Sequence, residues 1–431
     1  MPNHQRKKLA EIKNIGFVST RLAGTDGVSL ETEKWSEVLV TMGYKCFYFA
    51  GEIDRPEPKS YLCPLAHFSH PDIEKINAYV YNNTSRAERI TDAIEDLKRE
   101  LKFEIKKFLQ QFHIDLLIVE NAFAIPINIP LALALTEYIV ENNMPAIAHN
   151  HDFSWERKRF AVNCVSDYLN YAFPPRHPFI RQVVINKDAR TQLALRRGAA
   201  AVVVPNIMNY AKPPSPPDEY TVDVRKSLGF QKGEFFILQP TRVVQRKGIE
   251  HAIELLRRLQ KKKVKAKLVI SHASGDEGGD YERRIREYSK LLRVNTLFVS
   301  DIIGDRRGKT KNGRKIYSLY DVYPHADFVT YPSSYEGFGN AFLEAVYFKK
   351  PLLINNYSIY ANDIKPRGFQ VVEIDDYITE QDVNEVHELL QNPEKVKKMT
   401  EHNYKLAKRF YSYATLRRKL SYMLKDFFGE E

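Results

Sequence analysis

The feature that most constrains this chain is a strand, a glycine-containing turn and a helix encoded in residues 327–347. Residues 328–331 form a short apolar, β-rich run, which predicts a buried strand. Pro332 to Gly339 have turn chemistry, and apolar side chains then recur at helical spacing, with Asn340 predicted as the N-cap. A helix that begins after such a turn offers backbone N–H groups to anions and hydroxyls.

Two glutamates accompany this turn. Glu336 lies within it and Glu344 lies inside the predicted helix, with seven residues between them. Two carboxylates in this position are candidate binding residues. Taken on spacing alone, an ordinary pair of solvated glutamates is an equally good interpretation.

A second pattern of the same kind follows a strand predicted over residues 235–239. Arg242 and Lys247 flank the turn after this strand, and Gly248 precedes a predicted helix. Two cations together with the N–H groups of a helix end make a clamp for a diphosphate. Solvent-exposed loop charges are the alternative, and Arg246 is an additional cation without an assigned role.

The chain also begins with a strand, a loop and a helix, predicted over residues 14–19 and 30–42. The loop contains Gly24, Asp26 and Gly27 but no GxGxxG motif, so a dinucleotide fingerprint is not supported. Its glycines allow the backbone to approach a phosphate closely. A plain tight turn is the alternative.

Polar side chains follow two later strands of the predicted parallel sheet. Glu120 and Asn121 follow one strand, and His149 and His151 follow the next. Ligands of open α/β sheets bind beyond the carboxyl ends of the strands, so these residues are binding candidates. A metal would require a third ligand at fitting spacing, and none is evident, so we predict no metal.

Composition places the chain among globular proteins with two or three domains. It has 431 residues, of which 43% are hydrophobic and 28% charged. No run reaches the ~20 apolar residues of a membrane span, and three scattered cysteines favour a reducing, cytoplasmic location. The net charge of +11 is spread along the chain. Arg157 and Arg159 could bind an anionic acceptor, although a solvated surface is an equal alternative.

Together these motifs resemble the retaining glycosyltransferases of family 4, most specifically over residues 237–354. The resemblance implies an α/β fold of the GT-B architecture, with two Rossmann-like domains, a cleft between them and a C-terminal helix that crosses back. The implied divisions are an acceptor domain over 1–207, a nucleotide-sugar domain over 208–405 and the returning helix over 406–431.

The resemblance also implies a role for each candidate. Glu336 orients the donor sugar, Arg242 and Lys247 neutralise the leaving diphosphate, and His151 meets a sugar hydroxyl, although His149 remains open for that role. The residues implied to bind the donor are Gly24, Gly27, His149, Gly248, Gly337, Phe338, Gly339, Asn340 and Glu344. The acceptor candidates are Asp26, Glu120, Asn121, Arg157 and Arg159.

The implied reaction moves a hexose from a nucleotide sugar to a small acceptor with retention of configuration, without an obligatory cofactor or metal. The turn after residue 331 and the loop at 274–278 are similar to those of enzymes that make compatible solutes of the mannosylglucosylglycerate type. That similarity implies a GDP-mannose donor and an anionic acceptor such as a glycerate or sugar phosphate derivative.

Several alternatives stay open from the sequence. They are a UDP-glucose donor with sucrose-synthase-like chemistry, a lipid or polysaccharide acceptor, a sugar phosphorylase, and a non-catalytic nucleic-acid-binding protein on the same scaffold. We expect no nucleic-acid partner, because the basic segment 304–315 lacks interleaved aromatic residues. Membrane contact through the helix predicted over 86–112 is disfavoured by its interspersed acidic residues. The oligomeric state is left open.

Overall fold

The computed structural model describes residues 8–274, 279–304 and 306–429. The chain divides into two compact units, one of Met1–Ile207 with Tyr413–Glu431 and the other of Met208–Ser412. Most of the loop at 274–278, which contributed to the similarity with compatible-solute enzymes, lies outside the described residues. Among the described residues we find no helix with the length and apolar character needed to cross a bilayer.

The first unit is built on a seven-stranded parallel sheet with the strand order 3-2-1-4-5-6-7. Its strands are β1 (Asn14–Val18), β2 (Lys45–Ala50), β3 (Ser60–Leu62), β4 (Leu116–Glu120), β5 (Ala146–Asn150), β6 (Ile180–Val184) and β7 (Ala201–Val203). Its helices before residue 207 are α1 (Gly27–Thr41), α2 (Pro71–Val80), α3 (Glu88–Gln111), α4 (Ile129–Asn142), α5 (Ser166–Ala172) and α6 (Lys187–Arg197).

Both faces of this sheet are covered by helices. On one face, α3 and α4 bury side chains such as Leu101, Phe108 and Leu135 against the strands. On the other face, α1 buries Trp35 and Leu39. This double cover explains why the strands are continuous apolar runs. The order of the sheet reverses between β1 and β4, which is where open α/β sheets form a binding crevice.

The second unit contains a six-stranded sheet with the order 10-9-8-14-15-16, whose neighbouring strands are parallel. The strands of this unit are β8 (Phe235–Gln239), β9 (Ala266–Ile270), β10 (Thr296–Phe298), β11 (Ile303–Gly304), β12 (Gly308–Lys309), β13 (Lys315–Ser318), β14 (Phe328–Tyr331), β15 (Leu352–Asn355) and β16 (Val372–Ile374). The helices are α7 (Val224–Ser227), α8 (Ile249–Lys261), α9 (Asp280–Leu291), α10 (Leu319–Val322), α11 (Asn340–Tyr347), α12 (Glu380–Gln391) and α13 (Pro393–Phe410). The order reverses between β8 and β14.

The last helix, α14 (Tyr413–Phe428), belongs to the first unit. It adds four buried side chains to the core that contains Trp35, namely those of Leu416, Leu420, Met423 and Leu424. Polar contacts fix its position, because Lys419 Nζ donates to the Val203 carbonyl at 2.7 Å and Arg181 pairs with Asp426 at 3.1 Å. Helix α14 is therefore part of the hydrophobic core of the first unit, although it follows the second unit in the sequence.

The sequence of residues 51–85 predicts an irregular segment, and this prediction is wrong. This segment contains β3 at the edge of the first sheet and the ten-residue helix α2. Strand β3 is short and half-buried, so its pairing with β2 left little local signal. Helix α2 did carry a signal, since Pro71 occupies its first position, where proline is favoured.

The sequence also predicts a surface loop at 304–315 and a helix over 316–323, and the structure differs from both predictions in its secondary structure. Strands β11, β13 and β12 form a small sheet there, and only residues 319–322 are α-helical. Arg307 binds Asp218 at 2.7 Å and Asp321 at 2.6 Å, and Lys315 binds Asp223 at 2.9 Å. Part of the basic charge is thus paired with acidic residues of the same unit.

Candidate active site

The turns after β8 and β14 lie side by side, because these strands are neighbours at the reversal point of the second sheet. The backbone N–H of Ser334 donates to the Arg246 carbonyl at 2.9 Å. Gly248 has a φ of +58°, and a Cβ there would lie 2.4 Å from the Pro332 carbonyl oxygen. Only glycine tolerates both conditions without displacement, so Gly248 permits this close approach of the two turns.

A cluster of three charged residues occupies this junction. Lys247 Nζ donates to Glu336 Oε1, and Arg246 Nη1 donates to Glu336 Oε2 at 3.1 Å. Arg246 also donates to the Tyr335 carbonyl at 3.3 Å. The side chains of Lys247 and Glu336 are each only 10% exposed. The structure thus brings two of the predicted residues, Lys247 and Glu336, into direct contact.

The cluster fixes the charge of Glu336. Burial alone raises the pKa of this carboxyl, but the charges of Lys247 and Arg246 outweigh burial, and the pKa lies below its ordinary value. Burial lowers the pKa of Lys247 even though Glu336 opposes the shift, and the nearby charge of Arg242 contributes in the same direction. Arg242 itself is exposed. A buried carboxylate therefore stands beside two cations, Lys247 and Arg246, and Arg242 lies close enough to Lys247 to affect its pKa.

Two helices begin at this site, and neither has a side-chain cap. Helix α8 follows Gly248. Helix α11 follows Gly339, whose φ is +129° and whose added Cβ would lie 2.5 Å from Tyr357 Oη. The prediction of Asn340 as N-cap is wrong, because Gly339 takes that position and Asn340 is the first helical residue. Phe338 is buried, and its carbonyl accepts from Tyr357 Oη at 2.8 Å.

Glu344 lies on α11 and has a partner of its own. Tyr323 Oη donates to Glu344 Oε2 at 3.0 Å, and the Tyr323 ring stacks on Phe348 with centroids 4.8 Å apart. Gly337, half-buried, separates Glu336 from Phe338 in the turn. Glu344 is therefore held by an aromatic hydroxyl, whereas Glu336 is held by cations.

In the first unit, the backbone N–H groups of the turn between β1 and α1 have side-chain carboxylates as partners. Asp26 caps α1, because its Oδ1 accepts from the N–H groups of Val28 at 3.0 Å and Ser29 at 3.1 Å. Arg21 lies 3.3 Å from the same carboxyl group. The N–H of Gly24 donates to Asp54 Oδ2 at 2.9 Å, and Gly27 is the first residue of the helix. The Asp26 carboxylate thus accepts from two of the N–H groups at the start of α1.

Glu120, His149 and His151 form a buried cluster at the ends of β4 and β5. Glu120 lies opposite His149 in the register of these strands. Its Oε2 lies 2.8 Å from His149 Nδ1 and 3.4 Å from His151 Nε2. The Trp35 ring stacks on His149 with centroids 4.2 Å apart. The two predicted histidines are thus joined by one carboxylate.

Burial and charge act differently on the two imidazoles. Burial lowers the pKa of His149 despite Glu120. Burial also acts to lower the pKa of His151, but the hydrogen bond and the charge of Glu120 prevail, and this pKa is raised. One ligand atom from each of the three side chains lies within 4.8 Å of the others, which is close enough to hold a metal ion. Sequence spacing did not reveal that Glu120 lies close enough to both histidines to complete such a set.

The remaining acceptor candidates have protein partners or lie at the surface. Asn121 Oδ1 accepts from the N–H of His151 at 3.0 Å, and its Nδ2 donates to Asp152 at 3.0 Å. Arg157 Nε donates to the same aspartate at 2.5 Å. Arg159 is exposed, with its guanidinium 4.5 Å from the centroid of the Phe160 ring. Asn121 therefore holds the loop that carries His151.

Two side chains in these clusters were not among the predicted site residues. Arg246 had a local signal, because it precedes Lys247 in a short turn and so shares its surroundings. Trp35 had none, since its contact with His149 joins α1 to β5 across the sheet. The contact between Trp35 and His149 becomes apparent only when the order of the strands is known.

Two parallel, doubly wound sheets place this molecule in the GT-B class of glycosyltransferase folds. Residues 222–406 match the family described as Glycosyl transferases group 1, and the chain belongs to this family. It is 33% identical over 387 residues to a mannosylglucosylglycerate synthase of Petrotoga mobilis, covering 84% of this chain and 86% of that one. It is 30% identical over 438 residues to the Thermotoga maritima protein of the same name, covering 94% and 98%.

Solved structures agree on the fold. A glycosyltransferase from Rickettsia africae has a TM-score of 0.69 and 14% identity, covering 98% of this chain and 100% of that one. Anabaena HepE in complex with UDP and glucose has a TM-score of 0.62 and 14% identity, with coverages of 95% and 99%. The sequence resemblance to family members and the expected GT-B fold are thereby confirmed, and the chain is a glycosyltransferase.

Proposed function

We propose that this glycosyltransferase transfers a mannosyl group from GDP-mannose to a small anionic acceptor, with glucosylglycerate as the leading candidate. The observation that carries the proposal is the meeting of Lys247, Arg246 and Glu336 at the reversal point of the second sheet. The product named for the two relatives contains mannose, glucose and glycerate. UDP-glucose is the second donor candidate, because UDP and glucose are bound in the HepE structure.

The second unit supplies the donor contacts in this proposal. Arg242 and Lys247 neutralise the diphosphate, together with the N–H groups at the starts of α8 and α11. Glu336 takes the sugar hydroxyls and Glu344 the ribose hydroxyls. When the diphosphate draws Lys247 and Arg246 toward itself, Glu336 exchanges two cationic partners for hydroxyl donors. A carboxylate can accept from such donors in several directions.

The reaction exchanges one bond at the sugar's anomeric carbon for another on the same face. The bond between that carbon and the phosphate oxygen breaks as the bond to the acceptor oxygen forms. The acceptor hydroxyl gives its proton to the departing phosphate oxygen, so a separate protein base is not needed. The work of Arg242 and Lys247 is then to stabilise the charge that develops on the diphosphate.

We assign the acceptor to the first unit, with the proposed acceptor domain at 1–207, the donor domain at 208–405 and the final helix at 406–431. His151 contacts a hydroxyl of the donor sugar, whereas Arg157 and Arg159 attract the carboxylate of a glycerate acceptor. An anionic acceptor suits the net charge of +11. Exposed arginines add chiefly to the rate of encounter.

A thermal-shift screen with UDP, GDP and ADP sugars tests the donor, because a ligand that binds the folded state raises its melting temperature. We expect GDP-mannose to give the largest shift. Incubation with glucosylglycerate should then yield one mannosylated product, with the anomeric configuration of the donor visible in its proton coupling constant. Activity should survive treatment with EDTA.

The outcomes separate the parts of this proposal. If UDP-glucose alone shifts the melting temperature, the donor is wrong but the site stands. If the product has the opposite anomeric configuration, the same-face reaction is wrong. If no nucleotide sugar binds and no sugar is transferred, the assignment of the cation–glutamate cluster is wrong.

A further inference from the structure

Glu120 is the most deeply buried carboxylate near the proposed substrate contacts. Its side chain has no solvent exposure, and it follows four apolar residues of β4 that are also fully buried. An ionised carboxylate in such a place costs several kcal/mol of solvation free energy unless partners compensate it. An apolar side chain at this position would need no such compensation. The partners of Glu120 therefore indicate what the carboxylate does.

The described partners of the carboxylate are two imidazoles that approach one of its oxygen atoms. His149 Nδ1 lies 2.8 Å from Oε2, and His151 Nε2 lies 3.4 Å from it. Within the described part of the chain, Oε1 of Glu120 has no hydrogen-bond partner. Because Glu120 is inaccessible, it cannot touch an acceptor directly, and its effect on a substrate must pass through a histidine.

Of the two imidazoles, His151 is the one that reaches solvent. Its side chain is 10% exposed, whereas that of His149 is 1% exposed. His149 is sandwiched between the Trp35 ring at 4.2 Å and the His151 ring at 4.4 Å. His149 is therefore held in place on its buried side by Trp35, and its ring packs against the ring of His151.

The backbone of His151 is fixed as well. Its N–H donates to Asn121 Oδ1 at 3.0 Å, and Asn121 adopts a φ of +58° directly after Glu120. The Asn121 amide also donates to Asp152 Oδ1 at 3.0 Å. Asn121 thus holds the backbone of His151, and Glu120 holds its Nε2 atom. The other ring nitrogen, Nδ1, has no hydrogen-bond partner among the described residues.

We infer that Glu120 is a positioning residue for His151. By accepting a hydrogen bond from Nε2–H, it sets the orientation and the tautomer of the ring and leaves Nδ1 for an oxygen atom of the substrate. This inference rests on the proposed function, in which His151 contacts a sugar hydroxyl. It replaces the predicted role of Glu120 as a direct acceptor contact.

The test combines turnover with a double-mutant cycle. We expect Glu120→Gln to lower kcat about 10²-fold, the scale of misorienting a group at the reacting centre, with the KM for the donor changed less than about threefold. Glu120→Asp, which keeps the charge, should recover part of the loss. In a His151→Ala background, Glu120→Gln should have almost no further effect, because residues that act as a unit are not additive.

Asp115→Asn is the matched control. Asp115 is a buried carboxylate next to the opposite end of β4, where its Oδ2 accepts from the N–H groups of Lys13 and Asn14 at 2.9 Å each. This variant should lower the melting temperature without changing kcat by more than about twofold. Equal fold losses from Glu120→Gln in both His151 backgrounds would show a merely structural role and overturn the inference.

A second readout needs no turnover. Nitrogen-15 shifts of the imidazoles should show the His151 proton on Nε2 in the wild type and a redistributed signal in Glu120→Gln. A His151 ring unchanged by the substitution would overturn the inference even if the variant proved inactive. If the wild type transfers no sugar, the proposed function fails, whereas this readout still decides whether Glu120 positions His151.

A metal ion is the rival occupant of the cluster. Two histidines and one carboxylate are a known ligand set for zinc, and the three ligand atoms lie within 4.8 Å. The 2.8 Å separation of His149 Nδ1 and Glu120 Oε2 suits a hydrogen bond, whose proton a metal would displace. Stoichiometric, tight binding of Zn²⁺ to EDTA-treated protein, with perturbation of both imidazole signals, would overturn the positioning role.

Discussion

The two units of this glycosyltransferase start with the same local architecture and use it differently. In each, a central strand enters a turn and a helix at the point where the sheet order reverses. In the first unit, Asp26 caps α1 with its own carboxylate. In the second unit, α8 follows Gly248 without a side-chain cap, and Lys247 and Arg246 stand beside it.

The presence or absence of a side-chain cap indicates which of the two turns can bind an anionic ligand. In the first turn, the Asp26 carboxylate already accepts from two N–H groups and lies at the positive end of the helix dipole. The second turn gathers positive charge around a carboxylate, Glu336, that a ligand can replace as the partner of the cations. We therefore expect changes in the second turn to affect turnover and changes in the first to affect stability.

The largest expected effect is at Glu336 and Lys247. Glu336→Gln and Lys247→Met should each lower kcat by about 10²-fold or more, because each removes one preorganised charge contact to the reacting groups. Steady-state assays with the preferred nucleotide sugar measure this loss. Turnover near that of the wild type in either variant would mean that the turn of the second unit does not act in catalysis.

Stability must be separated from catalysis in these variants. Removing one member of a buried ion pair leaves an uncompensated charge and commonly costs about 3–5 kcal/mol of stability. The double variant Lys247→Met/Glu336→Gln avoids that charge, so we expect its unfolding free energy to exceed that of either single variant. Its kcat should remain low. A double variant that recovered turnover would show that the single losses came from misfolding.

A smaller effect is expected at Arg246. Its guanidinium is partly exposed and reaches Glu336 at 3.1 Å, beside the more deeply buried Lys247. Arg246→Gln should lower kcat/KM for the donor about tenfold, on the scale of one hydrogen bond to a charged group. Arg246→Lys should lose less, since it keeps the charge.

Lys290→Gln is the matched control, because Lys290 is an exposed cation of the same unit on α9. It should leave kcat/KM within about twofold of the wild type. An equal loss in both variants would mean that Arg246 contributes only to the general positive field.

Much of this architecture could be predicted from local sequence patterns. The apolar run at 328–331, the turn and the following helix stripe fixed a strand–turn–helix unit, and β14 spans the expected residues. The same holds for β8. Each pattern is short-ranged, because burial on both faces of a parallel strand selects a continuous run of apolar residues.

The contacts that assemble the site could not be predicted in the same way. The pairing of Glu120 with His149 depends on β4 lying next to β5, and that of Arg246 with Glu336 on β8 lying next to β14. Sequence spacing carries no information about either adjacency. Likewise, β13 formed where a helix was expected, because its pairing with β11 and β12 overrides local propensity.

In the first turn, Asp26→Ala should lower the unfolding free energy by about 1 kcal/mol, the usual value of an N-cap. Urea denaturation measures this change. Asp26→Asn should keep most of the stability, because asparagine is also a good cap. The KM for the donor should change less than about twofold in both variants. A large rise in that KM with unchanged stability would mean that the first turn binds ligand, and that the contrast between the units is wrong.

The last prediction concerns Lys350, a half-buried lysine of the second unit away from the turn. Its Nζ donates to the Pro324 carbonyl at 2.8 Å, and burial lowers its pKa from 10.5 to about 8. Lys247 has, in addition, a carboxylate hydrogen-bonded to it. Lys350 is therefore the reference for what burial does to a cation without such a partner.

The sign of its pH dependence follows from proton binding. Between pH about 8 and 10.5 the unfolded chain holds a proton on Lys350 that the folded chain has released, so folded stability rises with pH in this window. Below pH 8 both states are protonated and the contribution is constant. Lys350→Met lacks this term, and other titrating groups cancel in the difference between wild type and variant. Urea denaturation across the window should therefore show the wild type gaining stability relative to Lys350→Met. A constant difference would mean that the pKa of Lys350 is not lowered in the folded state.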